Sequence, residues 1–330
     1  MQTHILSRSR GWLERAKECI EAGEVVAFHT ETVYGLGANA FSDEAVQKIF
    51  ALKGRPADNP LIVHVHREYD ISSLIDSEPP YAEKLRKAFL PGPLTMVYPS
   101  TGKVSKYVSC GLNTLAIRVP SSRTAQAFLR EVDLPIAAPS ANISKHVSPV
   151  TARHVFDDFN GKIPLILDGG ACSGGIESTV LDCTGETPLI LREGLVTREQ
   201  IAKIAGDCGV YALAEGEQPR SPGIAYKHYS PRCKTAYFTN VSDAVTAYRA
   251  EEQEGGTPCI LCESACLKEL KDLRALDLGA TAEEMARRLY ALLRKGEKSA
   301  TLLIAIEPGL RGGAMAGVMN RLTRAFGEKV

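Results

Sequence analysis

Residues 42–66 constrain the fold most, because they predict a helix followed directly by a buried strand. Ser42 is a preferred N-cap residue, and apolar residues then recur at helical spacing. Gly54 suits the position just after a helix, and Pro56 prevents the helix from continuing. Residues 61–66 then alternate as a strand does. This order of elements indicates an α/β protein.

The junction between this helix and strand carries two cations, Lys53 and Arg55. Cations near a helix C-terminus commonly do no more than complement the helix dipole. A ligand-binding role is the alternative, and the junction by itself leaves both open. Asn59 follows closely and adds an amide to the same loop.

Further predicted strands also end in polar loops. Residues 24–29 form an apolar run that leads into the loop 30–38, which holds two threonines, a tyrosine and two glycines. The strand 134–138 is followed by Pro139-Ser140-Ala141-Asn142. Ligand-binding groups in α/β sheets usually lie at such strand ends, although a plain tight turn also explains paired glycines.

Arg118 interrupts the apolar pattern of a predicted strand at 115–119. Leu115, Ile117 and Val119 share one face, and Arg118 points to the other. A buried cation is rare without an anionic partner. That partner is either a carboxylate of the protein or a carboxylate or phosphate of a ligand.

The chain of 330 residues is long enough for two domains. Composition shifts in the segment that begins at Ala214, where proline and glycine recur and no periodicity holds. We therefore predict a first domain at 1–213, a linker at 214–232 and a second domain at 233–330. The last part alternates strand and helix, which predicts a small Rossmann-like doubly wound α/β domain without a Gly-x-Gly-x-x-Gly motif.

Composition excludes several functional classes. A formal net charge of zero argues against a broad nucleic-acid surface. No apolar run approaches the ~20 residues that span a bilayer, so we expect no membrane segment and a cytoplasmic location. Nine cysteines fit that compartment as unpaired residues. Cys259, Cys262 and Cys266 cluster without an obvious fourth ligand, so no protein metal site is predicted.

Polar residues at strand ends and glycine loops describe a pocket for an anionic ligand. They are Thr30, Thr32, Tyr34, Lys53, Arg55, Asn59, His64, Arg118, Ser140, Asn142, Ser178 and Arg192. Cations, hydroxyls and amides dominate, and neither paired carboxylates for glycoside cleavage nor a Gly-x-Ser-x-Gly elbow is present. The predicted chemistry is the positioning and neutralisation of phosphates.

Seven motifs occur in an order that is typical of one family. They are residues 30–36 (TETVYGL), 53–56 (KGRP) with 59–61 (NPL), 91–95 (PGPLT), 118–120 (RVP), 138–142 (APSAN), 177–180 (ESTV) and the segment 221–231. Together they resemble the YrdC-like threonylcarbamoyl-AMP synthases in their long, two-domain form. The resemblance implies a YrdC-like catalytic domain with a twisted mixed sheet, followed by the smaller domain.

The resemblance also implies a reaction and its participants. A nucleotidyltransferase of this kind joins L-threonine, bicarbonate or CO2, and ATP into threonylcarbamoyl-AMP and releases pyrophosphate, with Mg²⁺ accompanying ATP. The product serves tRNA threonylcarbamoyladenosine modification. The implied partners are therefore downstream tRNA threonylcarbamoyl-transferase proteins, with a possible weak tRNA contact.

Site residues carry over from the resemblance motif by motif. The implied catalytic residues are Lys53 and Arg55. The implied ATP-binding residues are Lys53, Arg55, Asn59, Thr114, Ser140, Asn142, Arg192 and, in the linker, Tyr226. The implied threonine-binding residues are Thr32, His64, Arg118, the backbone at Ala138, and Ser178.

The sequence departs from the family pattern at a few positions. His29 stands where proline usually precedes the threonine-rich loop, and Ser121-Ser122, Lys145 and Glu193 also differ. Two other functions remain alternatives: a YrdC-type carbamoyltransferase that uses carbamoyl phosphate and ATP, and a non-catalytic RNA-binding module.

Overall fold

The computed structural model describes residues 1–56, 58–211 and 229–327. The chain divides into two compact units. The N-terminal unit comprises Met1–Ser144, Pro149–Ser173 and Glu177–Tyr226, and the C-terminal unit comprises Lys145–Ser148, Gly174–Ile176 and Lys227–Val330. Two short segments of the N-terminal half thus belong to the C-terminal unit. Most of the predicted linker lies outside the described residues, and its exact limits stay a prediction.

The described part of the N-terminal unit contains eleven strands, which form one sheet in the order β1-β8-β2-β3-β7-β4-β6-β5-β9-β10-β11. Their bounds are β1 (His4–Leu6), β2 (Val26–Phe28), β3 (Gly35–Asn39), β4 (Ile62–His64), β5 (Leu94–Pro99), β6 (Thr114–Arg118), β7 (Ile136–Ala137), β8 (Leu165–Leu167), β9 (Thr179–Asp182), β10 (Leu189–Arg192) and β11 (Gly209–Val210). Neighbours β4 and β6 are parallel, whereas β4 and β7 are antiparallel. The predicted mixed sheet is confirmed.

Seven α-helices accompany this sheet in the described residues. They are α1 (Trp12–Glu21), α2 (Asp43–Lys53), α3 (Pro80–Phe89), α4 (Lys106–Ser109), α5 (Arg123–Val132), α6 (Ala152–Phe159) and α7 (Arg198–Ala205). Each of α2, α5, α6 and α7 begins at a Ser or Thr whose side-chain oxygen accepts a hydrogen bond from the first helical turn. These caps satisfy backbone N–H groups that have no partner within the helix.

One core of the N-terminal unit lies between α1, α5 and the strands β2, β7 and β8. Phe28 of β2 packs against Phe128 of α5 with ring centroids 5.2 Å apart. Both rings are fully buried, and each contributes about 1.5–3 kcal/mol to the stability of the fold. This packing fixes the end of β2, from which the threonine-rich loop departs.

Strand β3 occupies part of the segment that the sequence predicted as a loop. The strand pairs with β2, and a side chain at Gly37 would lie 2.7 Å from Ile136 and 2.8 Å from the Phe28 ring. Glycine is therefore required for close packing within a strand rather than for a turn. The loop itself is limited to residues 29–34.

The C-terminal unit contains a parallel sheet in the order β12-β15-β13-β14. Its elements are β12 (Lys234–Phe238), α8 (Val241–Gln253), β13 (Cys259–Cys262), β14 (Ala275–Asp277), α9 (Ala282–Glu297), β15 (Leu302–Ile306) and α10 (Met315–Phe326). Ala244 of α8 packs against Ile304, whereas Gly296 of α9 lies against Leu303. Because successive strand residues face opposite ways, helices cover both faces, as the doubly wound prediction required.

A capping box at the start of α9 is only half formed: Thr281 accepts a hydrogen bond from the Glu284 backbone, but the Glu284 carboxylate accepts from the N–H of Ala280 rather than from that of Thr281. Among the described residues of the whole chain, no helix is long and apolar enough to cross a membrane.

Candidate active site

Helix α2 delivers Lys53 to a site formed with a distant loop. Gly54 ends the helix in the left-handed conformation, with φ 58°. The Lys53 side chain is buried, and its Nζ donates hydrogen bonds to the carbonyl oxygens of Ser140 at 2.6 Å and Asn142 at 2.5 Å. Two motifs that lie far apart in the sequence are therefore in direct contact.

Burial controls the charge of Lys53. Desolvation lowers the pKa of its amine well below the usual range, and the neighbouring Arg55 lowers it further. The carboxylates of Asp158 and Glu177 act in the opposite direction without cancelling the effect of burial. A polyanion bound here would raise the pKa of Lys53 and favour its protonated form, because a negative charge close to a buried amine stabilises the ammonium ion.

The loop after α2 presents an amide to the same region. Arg55 donates from Nε to the carbonyl oxygen of Asn59 at 3.1 Å and from Nη2 to that of Pro60 at 3.0 Å, which fixes the loop. The Asn59 side chain is buried, and its Oδ1 has no hydrogen-bond partner within the part of the chain that the structure describes. A buried unpaired polar atom of this kind is typical of a ligand contact. Nearby, Ser140 Oγ donates to Asn142 Oδ1 at 2.6 Å.

Four predicted residues and Thr95 lie side by side on one face of the sheet. His64 of β4 is in register with Arg118 of β6. Thr95 of β5 follows, and its hydroxyl lies 2.7 Å from that of Ser178. Arg192 of β10 completes the row by donating to the Ser178 carbonyl oxygen at 2.9 Å. We call these five residues the polar row.

The anionic partner of Arg118 within the protein is Glu31. Its Nη2 donates to Glu31 Oε1 at 2.6 Å, and the backbone N–H of Ser121 donates to Glu31 Oε2 at 3.0 Å. Arg118 Nε donates to the Gly92 carbonyl oxygen at 3.4 Å, and Nη1 has no partner among the described residues. The protein thus supplies one carboxylate while part of the guanidinium remains available to a ligand.

Glu31 belongs to the candidate site but was not predicted from the sequence. The unusual position of Arg118 within a strand was the signal that a buried carboxylate had to be present. Two positions that depart from the family pattern also meet beside it: His29 Nδ1 lies 2.8 Å from Ser122 Oγ. Ser122 caps α5, so this contact ties the start of the threonine-rich loop to that helix.

His64 is held in a neutral state. Burial and the adjacent Arg118 lower the pKa of His64 to about 3. Its Nδ1 lies 3.1 Å from the carbonyl oxygen of Ile62, and the ring meets Phe28 edge-on at 5.8 Å. At neutral pH the imidazole can therefore exchange hydrogen bonds with a ligand but adds no charge to the site.

The remaining predicted threonine-binding residues lie close to these groups. Thr32 Oγ1 is 2.9 Å from Thr30 Oγ1, and Thr30 Oγ1 donates to the Val33 carbonyl oxygen. The backbone N–H of Ala138 donates to Ile62 O at 2.9 Å, which occupies this N–H within the sheet. If the backbone of Ala138 contacts a ligand, the contact must therefore use a backbone atom other than this N–H.

The strands place the two groups at opposite ends of β4. Asn59 and Lys53 lie before the strand, Ile62 lies within it, and His64 ends it. Thr114 begins the parallel strand β6, which places it at the same end as Asn59. Arg192 was predicted to bind ATP but lies in the polar row, beside Ser178. Tyr226 falls outside the described residues.

The geometry defines a class of protein: an α/β protein with the buried Lys53 and the unpaired side-chain oxygen of Asn59 at one end of β4, and with the Arg118 guanidinium, paired with Glu31, at the other end. The described residues contain no group of three or more His, Cys, Asp or Glu that could hold a metal ion. Arginine and lysine at such sites neutralise phosphates and carboxylates. This arrangement suits the joining of two anionic substrates.

Comparisons with known proteins narrow this class. A family model described as "Telomere recombination", which covers the Sua5, YciO and YrdC proteins, matches residues 18–194. A second, described as "Threonylcarbamoyl-AMP synthase, C-terminal domain", matches residues 196–327.

Relatives and solved structures agree with these models. Proteins named threonylcarbamoyl-AMP synthase from Pyrococcus abyssi and Bacillus subtilis are 38% and 40% identical, each over 99% of this chain, which covers 98% and 96% of their lengths. A crystal structure of P. abyssi Sua5 complexed with L-threonine has a TM-score of 0.90 at 37% identity and covers 99% of this chain and 98% of that one. The structure of E. coli YciO, at 22% identity and a TM-score of 0.54, shares the fold over 61% of this chain and 98% of its own.

The chain belongs to the Sua5/YciO/YrdC family and, within it, to the threonylcarbamoyl-AMP synthases that carry the Sua5 C-terminal domain. The predicted family, its two-domain form, the fold class and the enzyme class are confirmed.

Proposed function

We propose that this chain forms threonylcarbamoyl-AMP and pyrophosphate from L-threonine, bicarbonate or CO2, and ATP. The observation that carries the proposal is the placement of the Lys53 group and the polar row at the two ends of β4. Full-length relatives named for this synthase support it. Two substrates held along one short strand are close enough to react, since a strand advances only about 3.3 Å per residue.

ATP binds at the Lys53 end in this proposal. Lys53 and Arg55 neutralise the phosphates, and Asn59 uses its unpaired side-chain oxygen to hold the nucleotide. Thr114, Ser140 and Asn142 line the same end. In this proposal Arg192 contacts the phosphates although it lies in the polar row. The adenylyl group of ATP is transferred to the carbamate, so the α-phosphate must lie between the two ends.

Threonine binds at the polar row. Arg118 takes the amino-acid carboxylate with the part of its guanidinium that Glu31 leaves available. His64, Ser178 and Thr32 offer neutral hydrogen-bonding groups, which suit the threonine hydroxyl and amine. Because Glu31 already offsets the charge of Arg118, the free pocket does not bury an unpaired cation.

The chemistry follows from this placement. The threonine amine adds to CO2 and loses a proton, which gives a carbamate. A carbamate oxygen then attacks the α-phosphorus of ATP, a new P–O bond forms, and the bond between that phosphorus and the pyrophosphate oxygen breaks. Lys53 and Arg55 stabilise the negative charge that accumulates on the leaving phosphates.

We propose that Mg²⁺ enters with ATP as part of the substrate. Magnesium is usually bound by substrate phosphates and one or two carboxylates while it retains several waters. It neutralises phosphate charge, and the residues of this chain need only hold and orient the nucleotide. The metal therefore requires no closed protein cage in this proposal.

The product implies its consumers. A mixed anhydride of a carbamate and AMP is labile, so we propose that downstream tRNA threonylcarbamoyl-transferase proteins receive it for tRNA threonylcarbamoyladenosine. A weak tRNA contact and a cytoplasmic location stay predictions. A salt titration of tRNA binding, compared with pyrophosphate release, separates this function from that of a non-catalytic RNA-binding module.

Mass spectrometry of a reaction that contains ATP, threonine, bicarbonate and Mg²⁺ tests the proposal. We expect a threonylcarbamoyl-adenylate and one pyrophosphate per adenylate. In a parallel reaction, carbamoyl phosphate replaces threonine and bicarbonate. Adenylate formation only in that second reaction would identify a carbamoyltransferase instead.

The variant Arg118→Lys tests the assignment of the two ends. It keeps a cation beside Glu31 but loses the planar fork that binds a carboxylate at two points. We expect the Kd for threonine to rise by about tenfold or more while the Kd for ATP changes by less than about twofold, as measured by calorimetry. An equal loss of both affinities contradicts the separation of the two ends.

A further inference from the structure

A cavity of about 260 Å³ lies in the N-terminal unit behind the polar row. Ile117 and Val119, which flank Arg118 in the chain, line it together with Leu90, Pro91 and Tyr98. Because successive strand residues face opposite sides of a sheet, this cavity and the polar row lie on opposite faces of the same strands. The cavity is therefore separate from the candidate active site.

Three cations line the cavity. Its lining includes Arg67, Arg86 and Lys87 and, among the described residues, no carboxylate. Arg86 is held by Glu78, with nitrogen–oxygen distances of 2.9 and 3.0 Å, and Lys87 pairs with Glu83 at 2.6 Å.

Arg67 differs from the other two cations. Its guanidinium makes no hydrogen bond or ion pair with any residue that the structure describes, although the backbone N–H of Arg67 donates to Gln126. The cavity thus combines an apolar part, formed by Leu90, Pro91, Ile117 and Val119, with one exposed and unpaired cation at its edge. Small-molecule sites typically show this pattern of apolar walls with a few placed polar groups.

We propose that this cavity binds a small organic anion with an apolar or aromatic body and one carboxylate or phosphate group. The body packs on Leu90, Pro91 and Val119, and the anionic group pairs with Arg67. A planar fork of donors suits a carboxylate or a phosphate equally well.

The cavity is connected to the polar row through one short segment. The backbone N–H of Gly92 donates to Val119 O at 2.8 Å, and Gly92 O accepts from Arg118 Nε at 3.4 Å. One residue further, Pro93 O accepts from the N–H of Thr179 at 3.0 Å, directly after Ser178. A ligand against Pro91 and Val119 therefore touches the segment that holds the residues proposed to bind threonine. This coupling, unlike the binding itself, rests on the proposed function.

Methyl NMR with three probes tests the binding. Phenyl phosphate carries both a ring and an anion, whereas phenol and inorganic phosphate each carry one. With α,β-methylene-ATP present to occupy the candidate active site, phenyl phosphate should shift the methyl signals of Ile71, Leu90, Ile117 and Val119. Phenol and phosphate alone should shift them far less at equal concentration.

Matched variants locate the anion contact. Arg67→Ala and Arg67→Glu should each raise the Kd for phenyl phosphate by about tenfold or more. Lys84→Ala removes an exposed cation from the same helix as Arg86 without touching the cavity, and it should leave that Kd unchanged. Shifts confined to Val97 and Val180, on the face of the polar row, or shifts that persist in both Arg67 variants, overturn the proposal.

Calorimetry tests the coupling. Saturating phenyl phosphate should change the Kd for threonine by about fivefold, and threonine should change the Kd for phenyl phosphate by the same factor. If phenyl phosphate binds but the threonine Kd does not change, the coupling is refuted and the proposed binding site still stands. Neither the NMR shifts nor the calorimetric Kd values require turnover. A failure of the synthase reaction is therefore distinguishable from a failure of binding or of coupling.

Discussion

Lys53 is the residue on which the candidate active site depends most. Its amine is buried, it is flanked by Arg55, and two backbone carbonyls from another motif accept its hydrogen bonds. Burying an amine costs free energy. The folded protein tolerates this cost because the Lys53 amine donates hydrogen bonds to the carbonyl oxygens of Ser140 and Asn142. The same side chain therefore positions the 138–142 loop, and in the proposed function it gains a proton when ATP binds and then neutralises the phosphates.

Replacing Lys53 with a residue of similar length separates these roles from general packing. Lys53→Met should lower threonine-dependent pyrophosphate release about 100-fold, because a preorganised donor to the phosphates is lost. Stopped assays of pyrophosphate measure the effect, and circular dichroism checks the fold. Lys48→Met is the matched control, since Lys48 lies on the same helix but pairs with Glu24. Normal turnover in both variants would remove Lys53 from the mechanism.

The lowered pKa of Lys53 predicts proton uptake when ATP binds. Above its lowered pKa the free amine is neutral, and bound phosphates raise the pKa again. Between the pKa values of the free and ATP-bound protein, ATP affinity should therefore fall as pH rises, by about tenfold per pH unit for one proton.

Calorimetry in two buffers measures this proton. At a pH between the two pKa values, the apparent binding enthalpy should differ between HEPES and Tris in proportion to the number of protons taken up. Lys53→Met should remove that difference. Identical heats for the native protein in both buffers contradict a neutral Lys53.

At the scale of elements, the approach of the β9 and β10 segments decides where Ser178 lies. Gly194 follows β10, and a Cβ there would lie 2.4 Å from the Thr179 backbone nitrogen and 2.6 Å from the Ser178 carbonyl carbon. Both atoms belong to the backbone, so they cannot turn aside as a flexible side chain can. Glycine at this position keeps the end of the polar row in place.

Gly194→Ala should displace Ser178 and weaken the fold. We expect a loss of about 1–3 kcal/mol in the free energy of unfolding by urea, together with a higher Kd for threonine. Gly185→Ala is the control, because its Cβ would lie 3.7 Å from the closest atom, Thr187 O. Equal stability of the two variants would show that the backbone at residues 178–179 shifts to accommodate the added Cβ at little cost in free energy.

Elements with local causes were predictable. Helix α2 follows from Ser42 and Gly54, and strand β6 follows from the alternation around Arg118. Helix α5 was not predicted, although Ser122 and the spacing of Phe128 and Val132 are helix signals. Strand β3 was taken for a loop because its glycines resemble turn residues until Phe28 is placed against them.

At the scale of the whole molecule, the two units are interleaved along the chain. Residues 145–148 and 174–176 belong to the C-terminal unit, and Arg294 of α9 donates to the Val147 carbonyl oxygen at 2.6 Å. These two segments flank the loops that carry Asn142 and Ser178.

A core substitution in the C-terminal unit should expose this interleaving. Leu303→Ala removes a fully buried side chain from β15 and should cost about 2–5 kcal/mol. Hydrogen exchange followed by mass spectrometry should then show faster exchange in segments 145–148 and 174–176 together with the C-terminal unit. Leu165→Ala in β8 is the control and should accelerate exchange in the N-terminal unit instead. Unchanged exchange in both segments with Leu303→Ala contradicts their assignment.

Features with local causes follow directly from the order of the amino acids. Caps, prolines and periodicity in the sequence specified which segments are helices or strands. Lys53, Asn59 and Ser178 were selected as candidate site residues because they are polar groups at or between the ends of predicted elements, and Arg118 was selected because it interrupts the apolar pattern of a strand.

Tertiary structure alone decided the order of the eleven strands, the burial of Lys53 against the 138–142 loop, and the pairing of Arg118 with Glu31. Each of these depends on contacts between residues distant in the chain. No local propensity encodes such contacts, because their energy arises only when the sheet has brought the residues together.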